Sequence, residues 1–170
     1  MFKNTIFRRM TALVLTLALA AAAALPGLAV YPMPIQTASE TEAVYLFNAD
    51  TGKTILNQNA DQQQYVASLT KLMTALLLLE SGKGLNGEVT VPTALTQEFR
   101  DIQNANGSTM GLRIGETVRR IDLLNAMLIV SANDAASVIA YDVGGSVLDF
   151  VKQMNARAQE LGCTGTNFTC

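Results

Sequence analysis

Ser68 and Lys71 stand three residues apart at the head of an apolar run, VASLTKLMTALLLLE, residues 66–80. A hydroxyl and an amine at positions i and i+3 of a helix share one face and can meet. The pair could act as nucleophile and base. The chain contains no histidine. Within these 170 residues a Ser-His-Asp triad, a Cys-His dyad and a His-ligated metal site are therefore excluded, and a base for serine chemistry there must be something else. A helix that is apolar nearly all round is expected to be buried. Lys71 would then sit where desolvation lowers its pKa, and a neutral amine can take the serine proton. Ser68, at the helix start, would lie near free backbone N–H groups and the positive end of the helix dipole. The motif alone is weak, because Ser-x-x-Lys turns up by chance about once in a chain of this size. On this motif alone, an N-capping serine beside a lysine that reaches out to water is the plainer reading.

A second stretch, IVSANDAAS, sets Ser131, Asn133 and Asp134 between one apolar helix and the next. Such a polar elbow can aim a hydroxyl and an amide into a cleft. Ordinary helix capping by Ser131 or Asn133 is the plainer reading.

The elements that must position these residues read as follows. Glu42–Asn48 and Thr54–Asn57 form a hairpin around the turn Asp50–Lys53. Ser68–Glu80 is a helix closed by Ser81–Gly84. Glu88–Val91 is a short strand. Residues 93–106 begin as helix and become irregular, and Gly107–Gly115 is a glycine-punctuated loop. Helices follow over Arg120–Val130 and Asn133–Asp142. A last helix begins at Ser146, with Asp149 as its capping partner and Gly162 at its end. Two clear strands and a short third make a poor sheet for so many apolar helix faces. The expected class is α/β (α+β), with helices on an antiparallel sheet whose C-terminal strands are missing. A chain of this content is expected to be poorly stable alone and to expose apolar surface.

With both motifs in place, the sequence resembles the serine D-alanyl-D-alanine carboxypeptidases, the low-molecular-weight penicillin-binding proteins (peptidase S11 type) related to the serine β-lactamases. That superfamily carries S-x-x-K, then S-x-N, then K-T-G. ASLTKLMTALLLLE matches the first motif and MLIVSANDAA the second. GSTMGLRIGE resembles the family's intervening loop, and FVKQMNARAQELGCTGTNF its following helix. The likeness runs from about Glu42 onward. It implies that Ser68 is the acylated nucleophile, Lys71 its base, Ser131 a proton relay to the leaving group and Asn133 a substrate-binding amide. It also implies one oxyanion donor from the Ser68 N–H, peptidoglycan stem peptides as substrates and β-lactams as covalent inhibitors, with no cofactor and no metal. No Lys-Thr-Gly occurs in these 170 residues. The implied activity is removal of the terminal D-Ala through an acyl-enzyme. A serine β-lactamase or a DD-endopeptidase would use the same scaffold, and a non-catalytic cell-wall-binding module would keep the fold without the chemistry. A K-T-G on a later strand separates the last from an enzyme.

Composition agrees with an exported globular domain. The chain is 49% hydrophobic and 15% charged with a formal charge of −2, so nothing points to nucleic acid. Lys3, Arg8 and Arg9 precede the apolar run Thr11–Leu25, and Gly27–Ala29 has the small residues of a cleavage site. Residues 1–29 read as a signal peptide, with an uncleaved anchor as the rival. Residues 30–41 read as a linker and 42–170 as the N-terminal part of a catalytic domain outside the cytoplasm. Any C-terminal membrane anchor would lie in sequence beyond residue 170. Cys163 and Cys170 either pair as a disulfide or remain separate thiols.

Overall fold

A computed structural model of the chain describes residues 41–169. The signal peptide expected over 1–29, the linker up to residue 40, and Cys170 lie outside the described residues. The chain divides into two compact units, with the boundary between Ala60 and Asp61.

In the first unit, β1 (Val44–Asn48) pairs antiparallel with β2 (Lys53–Gln58). Gly52 closes the turn at φ +67°, where a side chain would be strained, and its N–H donates to the Asn48 carbonyl at 3.0 Å. The Thr51 N–H donates to Asn48 Oδ1 at 2.9 Å. Leu46 faces Leu56 but Phe47 faces Thr54, so Ile55 is an extra residue and the hairpin carries a bulge. Tyr45 and Phe47 project from one face and stack at 6.2 Å between ring centroids.

The second unit is mainly helical. A 3-10 turn, Ala67–Leu69, runs straight into α1 (Thr70–Glu80). Strand β3 (Glu88–Thr90) precedes a 3-10 turn at Thr93–Leu95 and α2 (Thr96–Asn104). Strand β4 (Thr117–Arg119) precedes α3 (Arg120–Ile129), α4 (Asn133–Gly144) and α5 (Val147–Glu160). The pattern of Thr-Val-Arg is too short to announce β4. Its pairing with β3, from Glu88↔Arg119 to Thr90↔Thr117, makes it a strand. Helix α2 also continues to Asn104, through residues expected to be irregular. The described strands therefore make two separate two-stranded antiparallel sheets. The helices of this unit bury their apolar sides largely against one another.

Helix α4 is the hub and packs against α1, α2, α3 and α5. It buries Ala135, Val138, Ile139 and Ala140, which meet Leu78 of α1 and Leu123 and Met127 of α3 or the Phe150 cluster of α5. Each large aliphatic here contributes about 1.5–3 kcal/mol through burial. A Cβ on Gly144 would fall 2.7 Å from the Phe150 Cβ, so only glycine allows α5 to turn back so closely. Ser146 caps α5 as expected: its Oγ accepts from the Asp149 N–H at 3.0 Å and donates to the Asp149 carboxylate at 2.9 Å.

The expectation that α1 is buried all round is corrected. Only Thr74, Ala75 and Leu78 are buried, while Leu72 and Leu79 are more than half exposed. Helices α3, α4 and α5 all pack on one side of α1, and the opposite side, with Leu72 and Leu79, is left without cover among the described residues. No described helix is long and apolar enough to cross a membrane.

Candidate active site

The 3-10 turn ahead of α1 carries Ser68, and the first turn of α1 carries Lys71. The elbow between α3 and α4 carries Ser131, and the first residue of α4 is Asn133. Because α1 and α3 both pack on α4, their ends converge. All four residues expected from the sequence come together. Ser68 Oγ lies 2.6 Å from Ser131 Oγ. Lys71 Nζ donates to Ser131 Oγ at 3.1 Å and to Asn133 Oδ1 at 2.8 Å, but reaches Ser68 Oγ only at 3.5 Å. Ser131 thus stands between the Ser68 hydroxyl and the Lys71 amine, a closer link than the direct Ser68–Lys71 contact that helical spacing suggested.

The backbone is unusual at two points of the cluster, just before Ser68 and at Ser131 itself. Ala67 has φ +46° and Ser131 has φ +59°, in the left-handed region that non-glycine residues seldom enter. Such strain persists only where packing over-determines it, and it gathers at functional sites. The Ser131 turn is pinned by Ala132, whose N–H donates to the Ala126 carbonyl at 3.3 Å and whose side chain is fully buried.

Lys71 is partly buried, and its three hydrogen-bond acceptors are all uncharged. Among the described residues no carboxylate lies within 4.0 Å of its amine. Desolvation therefore acts without a compensating anion, and it holds the Lys71 pKa below the ordinary lysine value. This is the direction a general base requires.

Sequence reasoning named Asp134 and Gly107 but assigned neither a role beside this cluster. The Asp134 carboxylate is buried and accepts from the N–H groups of Met110, Gly111 and Leu112, each at 3.0 Å, and of Ala135 at 2.9 Å. An acid in the first turn of an apolar helix was the available signal, but nothing in sequence tells which amides it would hold. Gly107 lies against the Asn133 side chain: a Cβ there would come within 2.9 Å of Asn133 Nδ2. A recess of about 580 Å³ beside this loop is bordered by Gly111 and Arg113–Glu116. It contains no nucleophile, so chemistry rather than concavity locates the site.

The family model described as D-alanyl-D-alanine carboxypeptidase (peptidase S11) matches residues 32–170. The chain belongs to this carboxypeptidase family. D-alanyl-D-alanine carboxypeptidase DacF of Bacillus subtilis is 34% identical over 137 residues, covering 78% of this chain and 33% of the relative. A D-alanyl-D-alanine endopeptidase of Pseudomonas aeruginosa is 33% identical over 136 residues, covering 80% of this chain and 42% of the relative. Among solved structures, the Streptomyces K15 DD-transpeptidase superposes with a TM-score of 0.66 at 31% identity, over 74% of this chain and 49% of that one. Penicillin-binding protein 5 of Haemophilus influenzae gives 0.59 at 36%, over 69% and 34%. The S11 chain thus spans about a third to a half of the length of these relatives, and the expected DD-peptidase-like fold class holds.

Proposed function

We propose that the protein is a serine-type D-Ala-D-Ala carboxypeptidase acting on peptidoglycan stem peptides outside the cytoplasm. The observation that carries this reading is the Ser68–Ser131–Lys71–Asn133 cluster around an amine without a carboxylate. Ser68 Oγ attacks the carbonyl of the penultimate D-Ala, and its proton passes through Ser131 to Lys71. The C–N bond then breaks, Ser131 returns a proton to the departing amine, and D-Ala leaves. Water hydrolyses the ester on Ser68. Asn133 hydrogen-bonds the peptide chain. Penicillins, whose strained amide opens without a leaving group that diffuses away, acylate the same oxygen.

Residues 1–29 act as signal peptide and 30–41 as linker in this reading, with 42–170 as the N-terminal part of the catalytic domain. A Lys-Thr-Gly strand that completes the carboxylate-binding wall belongs to sequence outside these residues. A second reading, DD-endopeptidase, is favoured by the near-equal identity of the endopeptidase relative. The two differ in which D-Ala amide is cut.

The test uses the intact protein. Fluorescent penicillin should label the wild type and not Ser68→Ala. Labelling that survives the substitution excludes Ser68 as nucleophile. D-Ala release from a pentapeptide, set against cleavage of a cross-linked dimer, decides between the two activities.

A further inference from the structure

Asp134 touches none of the reacting groups, yet it is only 3% exposed and all its bonds are to backbone N–H groups. A carboxylate so buried is tolerated only when well bonded. The Ala135 N–H is the neighbouring amide in α4's own first turn. The other three come from the loop of Met110–Leu112, more than twenty residues earlier in the chain. That same loop reaches Asn133 at two further points. The Asn133 N–H donates to the Ser108 carbonyl at 2.8 Å. Gly107 leaves room for the Asn133 amide nitrogen, which a Cβ would meet at 2.9 Å. The loop is therefore fastened by Asp134 on one side and shaped against Asn133 on the other. The other end of that amide, Oδ1, is the shortest partner of Lys71, at 2.8 Å.

We infer that Asp134 is a positioning residue: by clamping Met110–Leu112 it holds the Gly107–Ser108 edge against Asn133, and so keeps the Asn133 amide on Lys71. A mere loop anchor would need no match to Asn133. The inference rests on the reading of Ser68 and Lys71 as the acylating pair.

Asp134→Asn separates the clamp from the helix. One amide oxygen still serves one side of the old carboxylate, but the NH2 faces N–H donors on the other in either orientation. In the intact protein, time courses of fluorescent penicillin labelling should show a limiting acylation rate ten- to a hundredfold lower, the scale of a small misplacement of catalytic groups. The half-saturating concentration should change by less than about threefold. The labelled fraction of folded protein should stay at the wild-type level, and the amides of 110–112 should exchange hydrogen faster. A wild-type rate constant in the folded variant overturns the inference, whatever happens to exchange. A rate that is normal with only the labelled fraction reduced marks a purely structural role and overturns it too. Should Asp134→Asn fail to fold, Gly107→Ala decides, since it leaves the clamp intact and displaces the Asn133 amide. A tenfold or greater fall in rate supports the inference and an unchanged rate overturns it. Failure of the proposed function itself looks different: wild type and Ser68→Ala would then label alike.

Discussion

Basic side chains sit at both ends of α4, and the two ends hold them in opposite ways. At the C-terminal end Asp142 accepts two bonds from Arg120, at 2.7 and 3.1 Å, and one from Lys83 at 3.2 Å. Arg120 and Asp142 are 14% and 10% exposed. Burial would raise the Asp142 pKa, but the hydrogen bonds and charges of Arg120 and Lys83 outweigh it and hold the group below the usual aspartate value. At the N-terminal end Lys71 meets two hydroxyls and an amide oxygen, and burial alone acts on it. A guanidinium paired with a carboxylate is locked in one charge state. An amine among neutral acceptors can change state, and only that end also carries strained non-glycine backbone, at Ala67 and Ser131. One helix thus separates a structural ion cluster from a titratable one.

The comparison breaks most sharply at Lys71. Lys71→Arg keeps the charge but cannot deprotonate. Acylation should fall by at least about a hundredfold, the usual range for loss of a general base. An arginine variant that labels at the wild-type rate would show that Lys71 serves only as a fixed charge.

Asp142→Asn should do the reverse, with stability falling by about 2 kcal/mol and the acylation rate of folded protein unchanged. Fully buried pairs lose about 3–5 kcal/mol, and residual exposure reduces that here. The sign with pH follows from the lowered pKa. Its contribution is complete above the unfolded aspartate value and is lost as pH falls through the folded one. Denaturant titrations should therefore show wild type and variant converging in acid. A constant gap would remove the ion cluster from the account.

Lys71→Met should leave stability at neutral pH equal or raised, by less than about 1 kcal/mol after solvent screening. Because the lysine pKa is lowered by folding, the folded state binds fewer protons between its own pKa and the unfolded value. Wild-type stability therefore rises with pH across that window, and the variant's advantage should shrink. A clear loss of stability at neutral pH would mean that Lys71 supports the fold. The smallest effect is expected from Ala67→Gly, which relieves φ +46° and should raise the unfolding free energy by about 0.5 kcal/mol, strain relief being partly offset by backbone entropy. An unchanged or lowered midpoint of thermal unfolding would show that Ala67 stores no strain.

Much of this was legible locally. Hairpin, capping and helix positions depend on turn residues and periodicities a few residues long; Ser68 and Lys71 were singled out by type and spacing, Ser131 and Asn133 by the motif that resembles the family's. Strand β4 was not, because three residues carry no period and pairing with β3 alone makes them a strand. The burial of α1 was misjudged because composition tells how apolar a helix is, not how many neighbours cover it.

The sequence by itself determined which groups are on offer for chemistry: with no histidine in these 170 residues, Ser68 and Lys71 three apart are the pair it singles out, and side-chain identity is a local property. Only the tertiary structure decided how they are wired. Ser131 lies nearer to Ser68 than Lys71 does, no carboxylate approaches Lys71 among the described residues, and Asp134 holds a loop from far upstream. The contacts that Ser131 makes with Ser68 and Lys71, and Asp134 with that loop, join residues 22 to 63 positions apart in the chain, and they follow from which helix faces bury against α4.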